Sequence, residues 1–276
     1  RYGKFLPENG TIGFVAPSFG CNIEPYKSAF ANAQNIWMEE GYSLSLGPNV
    51  YEGCGIGISN TPEKCAREFN DWYAKEDVDV LISCGGGELM CEILPHVDFE
   101  KIRKGEPKWF MGYSDNTNLT FLLVTLCDRA AIYGPCAAAF GMNPWHESLK
   151  DAMGILKGSN QSVHNYEKWE KEGLKTEEKP FALCTWTPEA GLSKENKQNI
   201  QIEGRLLGGC LDSLATLCGT KFDQVKQFNE TYKEDGVVWF LEACDLNVMG
   251  IRRALWQLDE AGWFQNTKGF LIGRPL

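Results

Sequence analysis

The sequence predicts an α/β protein built in two unequal parts, and three observations carry the prediction. From Thr11 to Tyr133, short continuous apolar runs alternate with stretches whose apolar residues recur at helical spacing. Each apolar run closes on a turn rich in glycine, proline or serine. Beyond Asn143 the alternation breaks into charged sequence dotted with tryptophan, and it resumes in shorter form near Ile202. The expected organisation is an N-terminal α/β domain over 1–142, a connector over 143–200 and a smaller mixed α+β domain over 201–276.

Taken in order, Thr11 to Ala16 is a β-branched apolar run closed by Pro17, Ser18 and Gly20, and reads as a buried first strand. Tyr26, Phe30, Ala33 and Trp37 then give a helix from about Glu24 to Glu40, ended by Gly41. Tyr42 to Leu46 is a second short strand, and a glycine-rich loop follows over Tyr51 to Asn60. Thr61-Pro62 starts a helix, threonine as cap and proline in the first turn, with Ala66, Phe69 and Trp72 or Tyr73 on its apolar face. Val78 to Ser83 is a third strand, and Cys84-Gly85-Gly86-Gly87-Glu88 turns from it into a short helix ending at Leu94. Lys108 to Met111 is a fourth strand, followed by a sharp turn and a helix over Leu119 to Leu126; Ala131 to Tyr133 is a fifth. Apolar strands joined by helical crossovers make a parallel, Rossmann-like sheet covered on both faces, whose site lies at the carboxyl ends of the strands. The connector is expected to hold little regular structure, or to fold over a site. After it, Ile202 to Leu207 reads as a strand, Gly208-Gly209 as a turn and Leu211 to Leu217 as a helix. Val237 to Glu242 is a strong strand, a helix begins near Asn247, and Lys268 to Ile272 is the last strand.

Composition narrows the function. A net charge of −10 and the lack of any Lys/Arg run argue against nucleic acid as the main partner. No apolar stretch approaches the roughly 20 residues that span a bilayer, and the first residues do not lead into a signal-peptide core. The 11 cysteines are odd in number with no C-x-x-C pair, which predicts reduced thiols in a cytoplasmic protein. The 3 histidines, His96, His146 and His164, lack ligand spacing, so neither a metal nor a cofactor is expected. Arg1 without a methionine and Leu276 just after an apolar run lead us to expect a chain that continues beyond both ends.

Three turns at the carboxyl ends of the strands could carry chemistry: Pro17-Ser18-Phe19-Gly20, Gly85-Gly86-Gly87-Glu88 and Gly112-Tyr113-Ser114-Asp115. In Gly112-Tyr113-Ser114-Asp115-Asn116 a serine sits between a strand and a helix, as in G-x-S-x-G nucleophile elbows, with asparagine in place of the second glycine. Asparagine is tolerable there because it enters left-handed backbone space more readily than most residues. By itself the turn fits a helix cap as readily as a nucleophile. Gly85-Gly86-Gly87 frees backbone N–H groups to cradle a phosphate, to hold an oxyanion, or simply to turn tightly; it is neither a dinucleotide fingerprint nor a P-loop. Glu242 ends an apolar strand, where a carboxylate serves a site or caps the next helix. Asp245 reads as a loop or cap residue. No histidine falls at a strand end of the second region, so these residues alone do not complete a triad.

With these residues in hand, a resemblance becomes specific. Thr11-Ile12-Gly13-Phe14-Val15-Ala16-Pro17-Ser18, Ile82-Ser83-Cys84-Gly85-Gly86-Gly87, Met111-Gly112-Tyr113-Ser114-Asp115-Asn116-Thr117, Tyr133-Gly134-Pro135, Glu203-Gly204-Arg205-Leu206-Leu207-Gly208-Gly209, Phe240-Leu241-Glu242 and Ile272-Gly273 stand in the order seen in the LD-carboxypeptidase family of serine peptidases, which includes the microcin C immunity proteins. The resemblance covers nearly the whole chain. It implies a Ser-Glu-His triad with Ser114 and Glu242, and oxyanion donors at the Asp115 N–H and at Gly86 or Gly87. The family's histidine follows the last strand by some tens of residues and would lie beyond Leu276. Family members usually carry asparagine after the Gly-Gly of the second region, where this chain has Cys210. The long connector looks more like the microcin-immunity branch, in which tryptophan stacks on a nucleotide base; Trp169 is the matching candidate, and Trp186 does not align clearly.

What the resemblance implies is a cytoplasmic, metal-free serine peptidase, expected as a homodimer. Its substrate would be a murein tetrapeptide, losing its terminal D-alanine, or a peptidyl- or aminoacyl-nucleotide. The rival from another class is a non-catalytic protein whose glycine turn binds a phosphate or nucleotide. A cysteine-based amidotransferase-like domain is the third reading, disfavoured because no cysteine occupies an elbow.

Overall fold

The computed structural model describes residues 1–55, 57–166, 168–169, 176–181, 187–188 and 200–274. The first half is a five-stranded parallel sheet, assembled from β1 (Thr11–Val15), α1 (Tyr26–Glu39), β2 (Ser43–Leu46), α2 (Pro62–Ala74), β3 (Val80–Ser83), α3 (Phe99–Lys104), β4 (Trp109–Gly112), α4 (Thr117–Thr125) and β5 (Ile132–Tyr133). Its strand order is β2-β1-β3-β4-β5, every neighbouring pair parallel. The order reverses beside β1, and that is where an open parallel sheet leaves a crevice outside its carboxyl edge.

Alternation along the strands builds two cores. Ile12, Phe14, Val80, Ile82, Trp109 and Met111 point to one face, where α1 buries Ala29, Phe30, Ala33 and Trp37. Val15, Leu81 and Phe110 point to the other, against Ala66, Phe69 and Tyr73 of α2 and against α4. Helix α4 is buried from Thr117 to Leu123 because the sheet covers one side and the second half of the molecule covers the other.

The connector differs from expectation. Residues 147–156 form α5 (Glu147–Leu156), whose Leu149, Ala152, Met153 and Leu156 enter the core beneath α1. Two-residue strands β6 (Lys168–Trp169) and β7 (Thr187–Pro188) pair antiparallel further on. The second half then runs through β8 (Arg205–Cys210), α6 (Leu211–Leu217), α7 (Val225–Thr231), β9 (Val237–Glu242), α8 (Val248–Glu260) and β10 (Thr267–Ile272), giving a parallel sheet in the order β10-β9-β8.

Gly208 and Gly209 are not the turn expected of them; β8 runs straight through both to Cys210. They are glycines because of close approach. A Cβ on Gly208 would lie 1.8 Å from the Phe240 carbonyl oxygen, and one on Gly209 would lie 2.6 Å from the Thr117 side chain. Among the described residues, no helix is long and apolar enough to cross a membrane.

Candidate active site

Four turns meet at the carboxyl edge of the first sheet. Ser114 leaves β4 with φ of +62°, one of three non-glycine residues with positive φ among those described. A helix cap takes extended backbone, so this geometry sets Ser114 apart from a cap and matches the strained turn that lifts a hydroxyl clear of a sheet. Asn116 has φ of −60°, so the left-handed residue of the elbow is the serine and not the asparagine. Asparagine is used there for its amide, which donates to the Gly85 carbonyl at 2.8 Å and the Tyr113 carbonyl at 3.0 Å and so ties the elbow to the glycine turn.

That tie brings the glycine turn against the serine. A Cβ on Gly86 would sit 3.1 Å from Ser114 Cβ and 3.2 Å from its Oγ. Gly87 has φ of +133°, and a Cβ there would lie 2.0 Å from Ser18 Oγ. The backbone N–H groups of Gly86, Gly87 and Asp115 donate to no carbonyl among the described residues, which leaves them available beside the hydroxyl.

The Asp115 side chain holds the site from beneath. It is 6% exposed and accepts from Ser18 Oγ at 2.5 Å, from the Met90 N–H at 2.8 Å and from Asn118 Nδ2 at 2.9 Å. Burial pushes its carboxyl above the ordinary aspartate range, and these three donors pull it back. One carboxylate thereby clamps the turns after β1, β3 and β4 together.

Glu242 arrives from the end of β9. Its Oε1 accepts from the Tyr133 hydroxyl, and that hydroxyl oxygen accepts the Ser114 N–H at 2.8 Å. Tyr133, last residue of β5, thus links the serine's backbone to the carboxylate of the other half. Gly273 crowds Glu242 from behind, since a Cβ on it would lie 2.8 Å from Glu242 Cβ. The second sheet is docked on the elbow helix by the Cys210 N–H, which donates to Thr117 Oγ1 at 2.9 Å.

A cavity of about 230 Å³ opens against Ser114, walled by Gly87 and Asp115 on one side and by Asp212 and Asp245 on the other. Asp245 is a loop residue, as expected, and its N–H donates to Asp212 Oδ1 at 3.1 Å. Cys91, Cys210 and Cys244 also line the cavity, and burial, the largest cause for each, holds all three thiols above their usual range. A thiol so placed is a poor nucleophile.

The structure therefore brings together Ser114, Asp115, Gly86, Gly87 and Glu242. It places the backbone of Trp169 in β6; that side chain, and all of Trp186, lie outside the described residues. The histidines stand elsewhere. His96 pairs with Glu63 at 3.8 Å, His146 caps α5 by accepting the Ser148 N–H, and His164 pairs with Glu147 at 3.4 Å. Glu147, Asp151 and His164 bring ligand atoms within 4.8 Å of one another at the surface, but Asp151 already accepts from Tyr166 at 2.7 Å. Sequence reasoning missed Tyr133 and Asn118, and held Ser18 only as part of a candidate turn without a role of its own. The only signal for Tyr133 was its position before Gly134-Pro135 at a strand end.

The chain is similar to known proteins over most of its length. Residues 12–134 match the LD-carboxypeptidase N-terminal domain and residues 203–275 the LD-carboxypeptidase C-terminal domain. The Microcin C7 self-immunity protein MccF of Escherichia coli is 27% identical over 284 residues, covering 98% of this chain and 76% of that protein. The murein tetrapeptide carboxypeptidase of Pseudomonas aeruginosa is 20% identical over 257 residues, covering 92% and 73%. Among solved structures, MccF in complex with aspartyl sulfamoyl adenosine superposes with a TM-score of 0.80 at 21% identity, covering 99% of this chain and 80% of that one. An MccF-like protein from Bacillus anthracis str. Ames gives 0.81 at 20% identity, covering 100% and 80%. The structural likenesses speak for the fold; the two domain matches, which take in most of the sequence, speak for descent, and by them the chain belongs to the LD-carboxypeptidase family, peptidase family S66.

Proposed function

We propose that the protein is a serine-type carboxypeptidase that hydrolyses an amide in a murein tetrapeptide or in a peptidyl- or aminoacyl-nucleotide. The observation that carries the reading is Ser114 in a left-handed elbow, against an open glycine turn, with Glu242 joined to it through Tyr133. Ser114 Oγ attacks the carbonyl carbon. Its proton passes to the histidine that the family resemblance implies downstream of Gly273, and from there to the departing amine. The Asp115 N–H, with that of Gly86 or Gly87, receives the developing oxyanion. Water then releases the acyl group by the same steps. Glu242 holds the imidazole; its Oε1 is taken by Tyr133, while Oε2 accepts nothing from the described residues.

The binding-only rival has less support. A phosphate on the glycine turn would face the carboxylates of Asp115, Asp212 and Asp245 across the cavity. Steady-state kinetics of Ser114→Ala on both substrate classes tests the reading. Turnover is expected to fall by several orders of magnitude, roughly 10⁶ as in a well-studied serine protease, while the substrate still binds. Undiminished turnover would overturn it.

A further inference from the structure

Asn116, the residue that stands in for the second glycine of the elbow, is wholly buried. Its side-chain nitrogen faces three acceptors: the Gly85 carbonyl at 2.8 Å, the Tyr113 carbonyl at 3.0 Å and Cys136 Sγ at 3.5 Å. Three acceptors around one nitrogen fix which way the amide is turned. Gly112 makes room for it, since a Cβ there would lie 2.6 Å from Asn116 Cγ. The first glycine of the elbow is therefore required by the side chain that replaces the second.

Each of the two carbonyls belongs to a peptide plane that matters to the site. A trans peptide is rigid and sets its C=O and N–H in opposite directions, so a hydrogen bond that holds the oxygen also aims the nitrogen. The Gly85 oxygen shares its plane with the Gly86 N–H, and the Tyr113 oxygen shares its plane with the Ser114 N–H; both bonds are trans. Tyr133 holds the Ser114 end of the second plane at 2.8 Å. Ser83 Oγ also reaches the Gly85 oxygen, at 3.0 Å, but Ser83 belongs to β3, the strand that leads into the glycine turn. The next plane of that turn is held from elsewhere. The Gly86 oxygen accepts the Phe19 N–H at 3.0 Å, so the Gly87 N–H is aimed by the turn after β1. Of these donors, Asn116 is the one that ties a plane of the glycine turn to the elbow.

We propose that Asn116 is a positioning residue for the oxyanion site. One amide holds the Gly86 N–H and the Ser114 backbone in fixed register, so that attack by Ser114 Oγ sets the developing charge against the Gly86 N–H. Of the two glycine donors, Gly86 is then the one that serves with Asp115. Asn116 acts only through these two peptide planes and touches no substrate. The proposal rests on the hydrolase reading and adds to it the part that aligns nucleophile and oxyanion donor.

The test measures Asn116→Ala on a tetrapeptide ending in D-alanine and on an aminoacyl-nucleotide, with a boronic acid analogue of the cleaved substrate as probe of the tetrahedral state. For whichever substrate the wild type cleaves, kcat is expected to fall about 10²-fold with KM little changed, and the boronic acid to bind more weakly by the same factor. Affinity for the uncleaved substrate, read calorimetrically with Ser114→Ala in both backgrounds, is expected to stay the same. A merely structural loss would not spare substrate binding while weakening the tetrahedral adduct. A kcat within about threefold of wild type overturns the proposal, as does a KM that rises while kcat holds. If Asn116→Ala does not fold, magnetic resonance of the wild type decides. The Asn116 side-chain amide signal is expected to shift when the boronic acid adds to Ser114 and to stay in place when product binds; an unmoved signal overturns the proposal. If the wild type cleaves neither substrate, the hydrolase reading has failed and the positioning role falls with it, whereas a wild type that cleaves and a variant that keeps pace overturn the positioning role alone.

Discussion

Tyr133 joins the two halves of the candidate site through a single oxygen, accepting from Ser114 and donating to Glu242. Its replacement by phenylalanine keeps the ring, which packs 5.7 Å from Phe240, and removes only the hydroxyl. Tyr133→Phe is expected to leave the Ser114 N–H and Glu242 unpartnered, costing about 1–3 kcal/mol of stability by urea unfolding. Because the carboxylate would also lose its fixed position, kcat is expected to fall by up to about 10²-fold with KM little changed; an unaltered kcat would argue against the positioning role. Residues of this kind were hidden from sequence reasoning. Ser18 and Asp115 are partners across 97 positions and Tyr133 and Glu242 across 109. A turn motif announces itself locally, as Ser114 and the triple glycine did, whereas a side chain whose partner lies in another element does not.

Among the elements, α2 holds the most exposed-looking residue in the most buried place. Glu68 is 2% exposed, and its carboxylate accepts the Ala16 N–H at 2.7 Å and the Asn49 N–H at 2.8 Å, finishing the end of β1. Burial, the largest cause, raises its pKa to about 7, against the two backbone donors that lower it. A carboxyl raised above its unfolded value of 4.5 favours the fold fully below that value, and the contribution is lost as pH rises through about 7. Stability measured by urea unfolding is therefore expected to drop from pH 5 to pH 8 by up to about 3 kcal/mol from this group, and the drop is expected to shrink in Glu68→Gln. At this scale the five strands of the first sheet were legible, because their apolar runs are short and their closing turns are strong. Helix α5 was overlooked although Leu149, Ala152, Met153 and Leu156 keep helical spacing, since the charged sequence around it dominated the reading. The Gly208-Gly209 pair misled for another reason: glycine marks both a turn and a close contact, and only the positions of Phe240 and Thr117 tell the two apart.

Over the whole molecule, the two halves share a core. One hydrophobic cluster runs from Val15, Leu81 and Phe110 in the first sheet through α4 to Leu207, Trp239 and Leu258 in the second half. Within it Trp263 packs against both Phe121 and Trp239, with ring centroids 5.2 Å and 5.9 Å away, and those two rings lie 6.3 Å from each other. Phe121 belongs to the helix that follows the elbow, and Trp239 to the strand that ends in Glu242. The three rings therefore pack the two halves of the site against each other. Trp263→Ala is expected to cost about 3–5 kcal/mol and to lower kcat through Glu242, which no longer stands at a fixed distance from Ser114. The wild type is expected to unfold in one calorimetric transition that coincides with loss of tryptophan fluorescence; two separated transitions would contradict a shared core.

The long reach from Tyr133 to Glu242 has a consequence for biosynthesis. On a chain leaving the ribosome, the elbow and the glycine turn are translated well before Val237 to Glu242. Asp212 and Asp245, the far wall of the cavity, also come from the second half of the chain, Asp245 after Glu242. The nucleophile of our proposal is thus translated early and armed late. A fluorophosphonate probe is expected to label Ser114 in the finished protein and to pass over chains arrested before Val237.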